Sequence, residues 1–140
     1  MKSGSQREAK SWAMFAISGG RLRPAEVTEK LGLKPDFDQG SDVKDAENAS
    51  LPGHWQLNSK LSPDHNLADH IWEILKILGP VRRELKEFTE NYESVIYASV
   101  EFVDEFTKGI KIDRRTMLLL GELGVDLEII PWKNGENHGG

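Results

Sequence analysis

The sequence predicts an α+β domain. Three observations carry this. The chain has 140 residues, one domain's worth; two independent cores of about 70 residues each would be marginal without staples. Segments with alternating or β-branched apolar residues are interleaved with segments whose apolar residues recur at helical spacing. The joins between them carry glycine, proline and capping residues at the positions that stop strands and start helices.

Residues 1–10 are polar and read as a loose tail. Ser11 to Ser18 (SWAMFAIS) reads as a buried strand, ended by Gly19-Gly20. Arg23 to Leu33 reads as a short helix. Pro24 suits its first turn, where a missing N–H costs nothing, and Gly32 suits its stop. Residues 34–53 form a long acidic loop without apolar periodicity, expected to be mobile over Gln39–Ser50. His54 to Ser59 alternates, with Trp55 and Leu57 on one face, and reads as a short strand.

Leu67 to Leu78 has the clearest helical spacing, with Asn66 placed to cap it. Gly79-Pro80 breaks it, and Val81 to Thr89 continues as a second segment. Ser94 to Val103 is a β-branched and aromatic strand. Asp113 caps a helix to Leu123, and Gly124 stops it. Val125 to Trp132 alternates Val125, Leu127 and Ile129 inward against Asp126 and Glu128 outward, with Pro131 near its end. Residues 133–140 read as a fraying tail, leaving one domain over 11–132.

The order is strand–helix–strand, long helix, strand–helix–strand. We expect an antiparallel or mixed four-stranded sheet covered by helices on one face, in a ferredoxin-like arrangement. A doubly wound parallel sheet is disfavoured, because no glycine-rich phosphate loop follows the first strand.

Composition excludes several chemistries. There is no cysteine, so a disulfide scaffold, a thiolate metal site and a Cys nucleophile are ruled out. No apolar run reaches the roughly 20 residues that span a bilayer. A cytoplasmic location without membrane contact is therefore expected. The net charge is −5, and residues 35–70 hold seven acids against two Lys/Arg. Such a chain suits a basic partner surface and not nucleic acid.

The candidate chemistry is sparse. His65 and His70 are five residues apart, not the four that set two imidazoles on one helix face; they read as solvent-facing residues. No metal or cofactor is assigned. Asp36, Asp38 and Asp42 space loosely like calcium ligands, but the sixth position from Asp36 is Ser41 and not glycine. Asp104-Glu105 reads as a solvated loop pair. No Gly-x-Ser-x-Gly elbow occurs, and no catalytic residue is assigned.

Four tryptophans occur. Trp12 and Trp72 read as core; Trp55 and Trp132 sit on strands and are candidate ligand or partner anchors. Two arginine pairs, Arg21/Arg23 and Arg114/Arg115, follow strands and precede helices. If the halves are equivalent, the pairs share one end of the sheet and could hold a small anion beside helix N-termini.

Several signatures combine. They are FAISGG at Phe15–Gly20, the helix start Pro24–Thr28, LGLKPD at Leu31–Asp36, and Gly40. WQLNS at Trp55–Ser59, LADHIWEILKILGP at Leu67–Pro80 and LLGELGVDLEI at Leu119–Ile129 follow. Together they resemble the DUF4279 family of small bacterial domains over roughly residues 12–132. The resemblance implies the fold and a bacterial source and transfers no catalytic residue. The expectation is a non-catalytic module for a protein partner, for example an immunity-type toxin inhibitor. The alternatives are a small anionic-ligand binder or enzyme using the arginine pairs, and a homodimer paired through open strand edges.

Overall fold

Local capping chemistry sets where each helix begins and ends. The computed structural model describes residues 10–40, 52–102 and 109–133. Pro24 opens α1 (Pro24–Leu31), and Gly32 closes it in the left-handed region at φ 68°, where only glycine sits without steric cost. Asn66 caps α2 (Leu67–Leu78) by accepting the Asp69 N–H at 3.0 Å. Pro80 then tightens Gly79–Val81 into a 3₁₀ turn before α3 (Arg82–Thr89). Asp113 caps α4 (Arg114–Leu123) by accepting the Thr116 N–H at 2.9 Å, and Gly124 ends it at φ 76°. No helix among the described residues is long and apolar enough to cross a membrane.

The strands are β1 (Ser11–Gly19), β2 (Phe37–Gln39), β3 (Gly53–Asn58), β4 (Glu93–Phe102) and β5 (Asp126–Lys133). They form one five-stranded mixed sheet in the order β2-β3-β1-β4-β5. Every neighbouring pair is antiparallel except β4 and β5.

This corrects the expected four strands. The additional strand, β2, lies inside the acidic stretch that lacks apolar periodicity. Tertiary contacts hold it. The Asp36 N–H donates to the Gln56 carbonyl at 2.8 Å. Its carboxylate accepts the Asn58 N–H at 2.7 Å and the Lys60 ammonium at 2.7 Å. The Lys60 N–H in turn donates to Glu73 of α2 at 2.8 Å. Burial pushes the Asp36 carboxyl up, but the Lys60 hydrogen bond, the Asn58 N–H and the Lys60 charge outweigh it and hold the group below its ordinary value. Asp36 is thus an anchor of the fold, not a free acid.

The expected equivalence of the two halves is also corrected. β1 and β3 are adjacent and antiparallel, so they are not joined by a parallel crossover. Since β2 and β1 are both antiparallel to β3, β1 and β2 run the same way. The first unit is therefore β1–α1–β2, with β3 inserted between its strands. The second unit, β4–α4–β5, is an uninterrupted parallel crossover.

Among the described residues the hydrophobic core cluster lies on one face of the sheet. Ala13, Phe15 and Ile17 alternate inward on β1, as do Trp55 and Leu57 on β3 and Ile96, Ala98 and Val100 on β4. They meet Ile71, Ile74, Leu75 and Leu78 of α2, with Val27 of α1, Leu85 of α3 and Leu120 of α4 beside them. α2 packs on β1 and β4, α1 on β3, and α4 on β5.

Candidate functional site

No helix among the described residues packs on the opposite face of the sheet. Its residues follow from the register. Phe37, Gln56, Ala16, Val95 and Asp126 form one row across all the strands. Asn58, Met14, Tyr97 and Glu128 form the next. Trp12, Ser99 and Ile130 form a third. Ala16 and Val95 are buried in the middle of the face, and the aromatic groups stand around them.

Trp12 of β1 and Trp132 of β5 reach across β4 and stack, with ring centroids 5.6 Å apart and planes 28° apart. Trp12 stays 39% exposed, so the pair forms an apolar shelf open to solvent. Glu101 of β4, Trp132's cross-strand neighbour, is fully buried and accepts the Lys10 N–H at 3.1 Å. At the far edge Phe37 is 50% exposed and stands edge-on to the His54 ring at 5.7 Å. Along β3 a polar ladder joins His54 to Gln56 at 2.8 Å and Gln56 to Asn58 at 2.7 Å.

The face is electrostatically polarised. Glu93, Asp126 and Glu128 lie on the β4–β5 side and are exposed. They surround Tyr97, whose phenol is pushed above its ordinary value by burial and then by the charges of Glu93 and Glu128. The surface therefore combines aromatic shelves, amide and imidazole hydrogen-bonding groups and a negative flank. It can bind an amphipathic surface with a basic side.

The predicted site residues scatter. Arg21 and Arg23 follow the Gly19 end of β1, whereas Arg114 and Arg115 begin α4 beyond the Phe102 end of β4. Because β1 and β4 are antiparallel, with Ser18 opposite Glu93 and Ser11 opposite Val100, the pairs lie at opposite ends of the sheet. They cannot close on one anion. Arg115 instead sits over the Trp72 ring at 5.9 Å. Trp55 is fully buried and donates from Nε1 to Thr28 Oγ1 at 3.0 Å. It secures α1 to β3 and cannot anchor a ligand. Trp132 does reach the uncovered face. Trp12, read as core, joins it there. Alternation in SWAMFAIS separates Trp12 and Met14 from Ala13, Phe15 and Ile17, and that period of two is the signal that could have found the shelf. Ser41, Asp42, Asp104 and Glu105, and residues 41–50 of the stretch expected to be mobile, lie outside the described residues.

His70 also departs from its expected solvent-facing position: it is fully buried. Its Nδ1 lies 2.8 Å from Ser59 Oγ, which also accepts the Ala13 N–H at 3.1 Å. Its Nε2 finds no partner among the described residues. Burial holds the imidazole below its ordinary value of 6.5, against the Ser62 backbone and the charge of Glu73. The folded state thus resists a proton that the unfolded chain accepts near 6.5. Stability should fall as pH drops below that value, ahead of Asp36 and Asp113, whose lowered carboxyls lose their contribution only below their unfolded value of 3.8. Denaturant melts between about pH 7.5 and 5 should show this slope. His70→Gln should flatten it; an unchanged slope assigns the proton uptake elsewhere.

Fold and surface define an α+β domain with a five-stranded mixed sheet and, among the described residues, helices on one of its faces. The chain belongs to the DUF4279 family, described as a domain of unknown function, whose model matches residues 7–134. No curated protein and no solved structure matches the chain.

Proposed function

We propose that this chain is a non-catalytic protein-binding module of the bacterial cytoplasm that docks its partner on the uncovered sheet face. One observation carries the reading: the Trp12–Trp132 stack stands on a sheet face that no described helix covers, beside the flank of Glu93, Asp126 and Glu128. Solvent-exposed aromatic pairs are costly to keep unless they are covered in a complex, and Trp is the residue most enriched at binding hot spots. The acidic flank favours a basic partner and makes association salt-sensitive. An immunity-type inhibitor of a basic toxin fits this chemistry. In fold terms we read β1–α1–β2–β3–α2–α3–β4 as a ferredoxin-like core extended by α4 and β5.

The test is affinity capture from the source organism at low salt with three baits: wild type, Trp12→Ala/Trp132→Ala, and Arg82→Ala/Arg83→Ala on the helical side. A stoichiometric partner held by wild type and the arginine variant should fall by about 30-fold or more with the tryptophan variant, the loss of a hot-spot pair worth about 2 kcal/mol. Capture indifferent to the tryptophan pair overturns docking on this face.

A further inference from the structure

The exposed apolar side chains are not spread evenly. Of the seven large ones exposed among the described residues, five belong to Ile110, α4 and β5: Ile110, Met117, Leu118, Ile129 and Ile130. Helical spacing sets Met117 opposite Arg115, whose guanidinium lies over Trp72 of α2. Met117 therefore projects away from that contact and is exposed. β5 is eight residues long, and its outer edge has no neighbouring strand among the described residues. Ile129 and Ile130, on opposite faces of β5, are both more than one-third exposed. A long edge strand with exposed apolar groups on both faces is a template on which another chain can pair. Pro131 removes a donor at only one position.

We propose that β5 is a strand-addition site, and that its occupant is an extended basic segment of a partner protein. The proposal rests on the protein-binding reading above and deepens it: it adds the backbone edge of β5 to the side chains Asp126, Glu128 and Trp132 of the same face. Charge and register choose the occupant. On the uncovered face β5 presents Asp126 and Glu128, then Ile130 and Trp132; on the other it presents Leu127 and Ile129. A strand laid beside it meets two acids at successive same-face positions, roughly 6–7 Å apart. The complement is a segment with two Lys or Arg two residues apart, followed or preceded by apolar residues on that face, and aliphatic residues on the other. A second copy is a poor fit. Across a twofold axis perpendicular to the sheet, β5 offers its partner Asp126, Glu128, Ile130 and Trp132 on the same face, with no cation; Lys133 alternates to the other face.

The probe is a synthetic eight-residue peptide with valines at alternate positions. The positions between them carry, in order, two lysines, an isoleucine and a tryptophan. Binding is read by calorimetry, and its location by amide hydrogen exchange of the full chain. Two backbone N-methylated peptides, one methylated at the odd and one at the even positions, complete the set. An added strand bonds through one edge only, so one of them should lose at least tenfold in affinity and the other should not. Exchange should slow at amides within Asp126–Lys133, and Asp126→Asn/Glu128→Gln should weaken binding by at least tenfold. Glu26→Gln/Glu29→Gln on α1 should not weaken it. Retained affinity with both methylated peptides overturns strand addition while leaving side-chain docking on the sheet face intact. Absence of binding, or protection located elsewhere, overturns it too. A dimer in sedimentation whose β5 amides are protected without peptide gives the edge to a second copy and also overturns it. Because Trp132 lies on β5, it is the methylated pair that separates strand addition from docking on the sheet face.

Discussion

Trp55→Ala will destabilise the domain by about 3–5 kcal/mol, the range for truncating a buried large aromatic. Trp55 lies at the centre of β3's inward face and is fully buried. Its ring meets Phe15 edge-on at 6.4 Å, and its Nε1–H satisfies Thr28 of α1 at 3.0 Å. Alanine would remove the ring, open a cavity under α1 and leave the Thr28 hydroxyl without its donor. Trp55→Phe keeps part of the ring and loses the hydrogen bond, so its cost should be nearer 1–2 kcal/mol. Trp12→Ala is the control, because its ring is partly in water already and should cost less than either. Urea melts of the three variants check the order. A Trp55→Ala cost below that of Trp12→Ala would mean that Trp55 is not the pin between α1 and the sheet.

Gly53→Ala should cost about 1–3 kcal/mol or more, the overpacking range, although it adds a single methyl group. Gly53 starts β3, opposite Gly19 of β1, and is buried. A Cβ there would overlap the backbone carbonyl oxygen of Leu22 and press on the Leu22 Cβ at 3.1 Å. Leu22 is itself buried and lies in the turn that carries β1 into α1, where its N–H donates to the Gly19 carbonyl at 3.3 Å. Backbone cannot rotate aside as a side chain can, so the turn must move away from β3. Gly20→Ala meets nothing within 4 Å and should be near neutral. Equal melting midpoints for the two variants would remove the close approach from the account of the fold.

Much of the fold was legible locally. Pro24, Asn66, Asp113, Gly32 and Gly124 each do what their residue type dictates at a helix end. The apolar spacing of Leu67 to Leu78 named its buried face, except at His70. That histidine is polar by type but sits beside Ile71 on the buried face, where the Ser59 hydroxyl meets its Nδ1. β2 was not legible, since three residues without periodicity carry no strand signal. They become a strand because Asp36 is held by Asn58 and Lys60, more than 20 residues away. The arginine pairs failed as a clamp for a similar reason. Arg23 precedes α1 and Arg114 opens α4, but strand direction decides which junctions share an end.

The sequence by itself determined the α+β class, the helix limits, the main inward-facing strand residues and the family. These rest on periodicity, capping and turn chemistry, which act over a few residues. The tertiary structure decided the strand order, the fifth strand, the burial of His70 and Trp55, and the assembly of Trp12, Trp132, Tyr97 and Glu128 on one face. Those depend on which distant strands pair and in what register. A shift of one residue turns every side chain of a strand to the other face, and no local pattern specifies the partner.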